Sequence, residues 1–285
     1  MPANRPIDPG LSPLDALLRQ NLRTLGFVET EVASAAGPQI LFAAGSGQSI
    51  CFLHGTGHHA GSWHQTAAAL LKRGRFRILI PDLAGHGASA PTAGPITMEI
   101  LLAGLDGIMQ EAVPTRATLV GNSLGGWLAM TWASLHPGRV DRIVGVDTSG
   151  ISGVNGEITL TPKTRDEARR VWQAAVDKSN WELPDVFFDE LIRKAREGAL
   201  GRVDALSVAP FLMDGVLSKF TVPVDLIWGE SDRLLPLDYA KRLQSGLPNA
   251  TLVSIPKCGH IPQLECPDRF NEALLKVLDK GGQTA

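Results

Sequence analysis

Residues 117–130 read ATLVGNSLGGWLAM. Ala117–Val120 is an apolar run with the look of a buried strand, and after Ser123 an apolar helical pattern begins. A serine at the point where a strand turns sharply into a helix sits on a tight, strained backbone. Side chains two residues to either side have no room there, and Gly121 and Gly125 meet that demand. The turn lifts the Ser123 hydroxyl clear of the sheet and leaves the Leu124 N–H at a helix N-terminus. This stretch therefore constrains the fold to one in which a buried strand feeds directly into a covering helix.

The rest of the chain repeats that rhythm. QSICFLHG (48–55), FRILIPDL and VDRIVGVDTS read as strands, separated by the helical patterns SWHQTAAALLKRG and TMEILLAGLDGIMQEAV. Two further strand-like segments, GFVETEVA and PQILFAAG, precede them, and residues 13–25 carry Leu14, Leu17, Leu18, Leu22 and Leu25 at helical spacing. Near-continuous apolar strands alternating with helices predict an α/β protein with a parallel sheet covered on both faces.

The rhythm breaks at Gly150. Two amphipathic helical patterns follow, over 162–178 and 184–197, each with a proline placed just inside its first turn, and a third apolar stretch runs from Val203 to Leu217. Strand–helix alternation then resumes with VPVDLIWG, PLDYAKRLQSGLP, ATLVSIP and DRFNEALLKVLDK. The helical block reads as a cap over 151–219, inserted between core segments 1–150 and 220–285.

Net charge is −2, so nothing points to a nucleic-acid partner or an anionic membrane. The apolar stretches fall short of the ~20 residues needed to span a bilayer, and MPANRPIDPGLSPLD lacks the pattern of a secretory signal. Cys51, Cys258 and Cys266 are read as reduced structural thiols in a cytoplasmic protein, with a Cys258–Cys266 disulfide as the alternative.

A serine hydroxyl needs a base to become a nucleophile. Of the histidines at 54, 58, 59, 64, 86, 136 and 260, only His136 and His260 follow Ser123 in the chain. His136 falls where the helix after the turn ends, far from the serine. His260 follows the last strand pattern, at the sheet edge where open α/β proteins place their sites, and is the candidate base. Asp232, in the loop after the strand 222–229, and Asp147, at the end of the strand before the cap, are both candidates to orient it; Asp232 is favoured over Asp147, and Glu230 is less well placed. The loop FLHGTGHHAGSW (52–63) supplies Thr56, whose N–H can face the same point as that of Leu124. His54, His58, His59 and His64 crowd this loop without a fitting acidic or cysteine partner, so no metal is assigned, and His58 is expected at the pocket border.

Together these residues resemble the α/β-hydrolase superfamily over about residues 26–280. HGTG at 54–57 resembles its oxyanion loop, PDLAGHGAS at 81–89 its P-D-x-x-G-H-G-x-S turn, and WGESDRLLP and CGHIPQLECPDRF the segments bearing its acid and base. The resemblance implies a mostly parallel eight-stranded sheet flanked by helices, with a small helical cap after the sixth strand. It implies a Ser123, Asp232, His260 triad, with Thr56 and Leu124 as oxyanion donors and no cofactor. His54, Asp82 and His86 then brace turns. The segment order looks most like bacterial carboxylesterases and monoacylglycerol-lipase-type enzymes, whose partner is a small-molecule ester.

Other chemistries share the fold. Haloalkane dehalogenases and epoxide hydrolases use an aspartate where this chain has Ser123. Carbon–carbon hydrolases of aromatic ring-cleavage pathways resemble the chain at GNSLGG and SDRLLPLD, but usually carry a tryptophan after the catalytic histidine, where this chain has Ile261. Lactonases and perhydrolases share nearly all the motifs, and some proteins of this fold are ligand receptors that keep only part of the triad. In the cap, Trp172, Trp181, Phe187, Phe188, Phe211 and Met213 are the large apolar residues, and all but Trp181 are taken as candidate pocket lining. No Arg-rich run announces an anionic substrate, which favours small or medium uncharged acyl esters.

Overall fold

A computed structural model describes residues 11–153, 158–203 and 208–280. Its framework is an eight-stranded sheet of β1 (Val28–Val32), β2 (Gln39–Gly45), β3 (Gln48–Leu53), β4 (Phe76–Pro81), β5 (Ala117–Asn122), β6 (Val140–Val146), β7 (Val224–Gly229) and β8 (Thr251–Ile255), in spatial order β1-β2-β4-β3-β5-β6-β7-β8. β1 and β2 join antiparallel, as do β2 and β4; every other neighbouring pair is parallel. The parallel strands therefore send their carboxyl ends to one edge, and the loops after β3, β5, β7 and β8 all emerge there.

Every residue of β5 and β7 is buried, which is why these strands read as mainly apolar rather than as alternating ones; the charged exception, Asp225 in β7, is paired with Arg142. Alternate side chains feed two cores. On one face Leu53, Leu119, Ile143 and Leu226 pack under α3 (Met98–Ala112), α4 (Leu124–Leu135) and the helix Leu237–Gly246. On the other Phe52, Ile78, Val120 and Ile227 pack under α1 (Pro13–Thr24), α2 (His64–Leu71) and the helix Pro267–Lys280.

Between β6 and β7 the described residues carry α5 (Arg165–Ala175), α6 (Asp185–Glu197) and the single turn α7 (Ala199–Arg202). α5 begins three residues beyond the proline expected in its first turn, because Thr164 is the N-cap and its hydroxyl accepts from the Glu167 N–H. Pro184 likewise sits just outside α6 rather than inside it. The apolar stretch 203–217 forms no long helix in its described part, only 3₁₀ turns at Ala209–Phe211 and Leu217–Lys219, while 204–207 lie outside the described residues. Among the described residues no helix is long and apolar enough to cross a membrane.

Candidate active site

Ser123 follows β5 directly, with φ 53° and ψ −119°. Such a left-handed serine is strained, and the surroundings hold it in place. Its N–H donates to Val146 O at 3.0 Å, and its carbonyl accepts from Gly126 and Trp127 at 3.1 and 3.2 Å. A Cβ on Gly121 would strike the Gly125 carbonyl, and one on Gly125 would strike the carbonyls of Leu53 and His54. These are backbone atoms that cannot swing aside. Leu124 opens α4, where first-turn N–H groups have no intrahelical acceptor.

Asp232 and His260 arrive from neighbouring strands. Asp232 Oδ1 accepts from the N–H groups of Leu234 and Leu235 at 2.8 and 2.9 Å, and its Oδ2 lies 2.7 Å from His260 Nδ1. Asp232 is acceptor-only when ionised, so the ring proton sits on Nδ1 and Nε2 is left as the basic nitrogen. The His260 N–H donates to Ala175 O at 2.7 Å, so the end of α5 helps to hold the histidine. Asp147 stands behind this pair. It is fully buried, its Oδ1 accepts from Gly229 N–H at 2.9 Å, and a carboxylate oxygen lies within 4.8 Å of an Asp232 carboxylate oxygen and of a His260 ring nitrogen. Burial first, and then the charge of Asp232, push the Asp147 carboxyl well above the ordinary carboxylate range, so it stays protonated. Of the two acids weighed from sequence, Asp232 is the one that reaches His260. Glu230 turns outward to Ser254.

Two residues of this network escaped the sequence reading. Asn122 donates through Nδ2 to Val146 O and to His260 O, at 3.1 and 2.9 Å, tying the serine turn to the histidine loop. Gln263 in turn donates to Asn122 Oδ1 at 3.1 Å. The sequence signal was Asn122's place next to Ser123, which does not reveal a partner 138 residues away.

Thr56, His58, Ser123 and His260 border one cavity of about 1020 Å³, and Trp172 on α5 and Phe187 on α6 line it with their rings edge to face. Phe188, Phe211 and Met213 do not border it. Phe188 is one helical position round from Phe187 and is buried beneath the Arg169 guanidinium. The Phe211 carbonyl takes the Trp127 indole N–H, and Met213 is buried with its sulfur beside the Thr131 hydroxyl, both on the flank of α4. Around the loop that carries Thr56, His54 accepts from Leu83 N–H at 2.9 Å, and Asp82 accepts from Ala60 and Ala88, which are bracing contacts. Both nitrogens of His54 and His59, and Nδ1 of His64, meet backbone groups or Asp15. Burial, reinforced by Lys194 and His59, pushes the His58 ring down to about 3, so it is neutral at working pH. Among the described residues, the charged side chains lining the cavity are four acids (Asp15, Glu182, Glu190 and Glu265) and one cation, Lys194.

The thiol reading needs correction. Cys258 and Cys266 are joined as a disulfide, their Cα atoms 6.1 Å apart, while Cys51 is a buried free thiol in β3. The turn that carries His260 folds the chain back through the helix Pro262–Glu265, and this brings the two sulfurs together.

The sequence profile of the Alpha/beta hydrolase family matches residues 52–273. A 2-hydroxy-6-oxononadienedioate/2-hydroxy-6-oxononatrienedioate hydrolase of Pseudomonas sp. is 29% identical over 259 residues, covering 82% of this chain and 89% of that protein. Among solved structures, a membrane phospholipase A described as a bacterial virulence factor superposes with a TM-score of 0.81 at 21% identity, covering 95% of this chain and 92% of the other. A thermophilic esterase from Thermogutta terrifontis gives 0.70 at 22% identity, over 89% and 99%.

Proposed function

The chain belongs to the alpha/beta hydrolase family, and on that premise we propose that it is a serine hydrolase cleaving carboxylic esters of small to medium, uncharged acyl groups. The observation that carries this reading is the 2.7 Å contact of Asp232 with His260 Nδ1, on the rim of the cavity that Ser123 also borders. In the proposed reaction His260 Nε2 takes the Ser123 proton as the oxygen attacks the ester carbonyl. The N–H groups of Thr56 and Leu124 hold the oxyanion, each worth roughly 3–4 kcal/mol. Collapse breaks the C–O bond, and His260 gives its proton to the departing alcohol. Water then attacks the acyl-serine, losing a proton to His260, and that proton returns to Ser123 as the acid leaves. Residues 151–219 serve in this scheme as a cap that roofs the acyl pocket.

A second reading, carbon–carbon hydrolysis of a ring-cleavage product, is favoured by the name of the Pseudomonas relative. Its substrate is a dioate, a dianion. A cavity lined, among the described residues, by four acids and one lysine, itself 2.6 Å from Asp15, disfavours such a ligand electrostatically. Ile261 also stands where such enzymes usually carry tryptophan. Ester cleavage is therefore preferred. A serine-reactive phosphonate should label Ser123, and Ser123→Ala should abolish hydrolysis of p-nitrophenyl esters while keeping its circular dichroism spectrum. Turnover of the dioate at a higher kcat/KM than any ester in a chain-length panel would reverse the preference.

A further inference from the structure

α1 lies outside the family-matched residues 52–273, yet Pro13, Asp15 and Leu18 form part of the cavity wall. Its first turn carries a capping box. Asp15 Oδ2 accepts from the Ser12 N–H and hydroxyl, both at 2.8 Å, and the Ser12 hydroxyl oxygen accepts from the Asp15 N–H. The same carboxylate has two further partners from distant parts of the chain. Lys194 Nζ on α6 lies 2.6 Å from Oδ2, and His59 Nε2 lies 3.1 Å from Oδ1. His59 Nδ1 accepts from Gly61 N–H at 3.1 Å, so the ring proton is on Nε2 and is donated to Asp15.

One turn further along α1, Arg19 pairs with buried Asp82, which also receives the Ala60 N–H at 2.9 Å. The helix thus holds residues 59 and 60, just beyond Thr56, through two charged side chains. A Cβ on Gly61 would lie 2.8 Å from backbone atoms of Leu18 and Arg19, so the two segments meet backbone to backbone. Lys194 rides on α6, whose Phe187 and Leu191 line the cavity. Asp15 is 5% exposed, and an acid so enclosed is desolvated. The bond from His59 and the charge of Lys194 more than offset that burial and hold the carboxyl well below its usual range.

We propose that Asp15 is a positioning residue for the acyl subsite: it fastens α6 and the oxyanion loop to α1 at one point, so that the acyl wall and Thr56 keep register with Ser123. The kinetic arm of this proposal rests on the esterase reading; its structural arm does not.

Asp15→Asn keeps an acceptor for His59 and removes the charge that holds Lys194, and Lys194→Met removes the same bond from the other side. Both variants should raise KM for a p-nitrophenyl decanoate about tenfold, with a smaller change in kcat. The acetate ester, whose acyl chain ends near Ser123, should lose less. The double variant should be no worse than either single one, because both remove one shared contact. Hydrogen exchange in residues 185–197 should quicken in both variants, with β3 and β5 protected as before. Additive losses, or equal effects on acetate and decanoate, would overturn the positioning role. Exchange in 185–197 identical to the wild type would overturn the proposal whether or not the protein turns over esters. If the wild type fails to react with the phosphonate, the esterase reading falls and the exchange measurement alone decides the fate of Asp15.

Discussion

Asp232 receives the N–H groups of Leu234 and Leu235 and faces the His260 ring, whereas Asp147 receives the Gly229 N–H with Asp232 beside it. Two carboxylates so close cannot both carry full charge in a buried site, and burial together with the neighbouring Asp232 charge pushes the Asp147 carboxyl well up. Replacing Asp232 with Asn should cost about 10⁴-fold in kcat, because the amide no longer selects the Nδ1–H tautomer. Asp147→Asn preserves a neutral group that can still accept from Gly229, and should cost less than about tenfold. Steady-state kinetics on one ester compares them directly, and equal losses would contradict this division of labour between the two acids. His58 supplies a second residue-scale expectation. With its ring pushed down to about 3, it is uncharged from roughly pH 4 upward. His58→Gln should leave the midpoint of the acid limb in a plot of log kcat/KM against pH where it is. A displaced midpoint would mean that His58 titrates in the working range.

The loop from β8 to the helix Pro267–Lys280 shows what a single element adds to those residues. Cys258 and Cys266 close it covalently, Asn122 holds the His260 carbonyl, and Glu265 takes the N–H groups of Gly259 and Asp177. A disulfide closing a loop of this length stabilises by roughly 2.5 kcal/mol in the chain-entropy picture. Cys258→Ser with Cys266→Ser should therefore unfold at lower urea, by about that free energy, and should show reduced kcat because the His260 loop is less restrained. Denaturation of oxidised and reduced wild type checks the stability part independently. In sequence, a spacing of eight between two cysteines looks no different from two buried thiols; only the turn at His260 brings them within bonding reach. The helices α5 and α6 were legible from their apolar faces, but the start of α5 was not. Pro162 is the stronger signal in sequence, while the observed start is fixed by the Thr164 hydroxyl.

At the scale of the whole molecule, α1, the turn after β4 and the loop after β3 are joined through Arg19 and Asp82. Burial opposes ionisation of Asp82, but Arg19 prevails and lowers its pKa from 3.8 to about 2. A depressed folded-state pKa contributes stability that is complete above the unfolded value and lost as pH falls through the folded one. That contribution, roughly 2 kcal/mol, should be full above about pH 4 and fade toward pH 2. Asp82→Asn does not titrate, so its stability deficit relative to wild type should narrow over that window in urea melts. A deficit independent of pH would place the stabilising charge elsewhere. The amphipathic pattern at 13–25 announced a helix, yet nothing local in it announced Asp82, His59 or Lys194 as partners.

The alternation of apolar strands and helices, the glycines around Ser123 and the order of Ser123, Asp232 and His260 were settled by the sequence, because each depends on steric demands or periodicities carried within a few neighbouring residues. Which acid meets His260, which aromatic side chains face the cavity, whether two thiols become a disulfide and what the first helix binds were decided by tertiary structure. These depend on distances between segments far apart in the chain, and on which side chains those segments bury together, and no local pattern encodes either quantity.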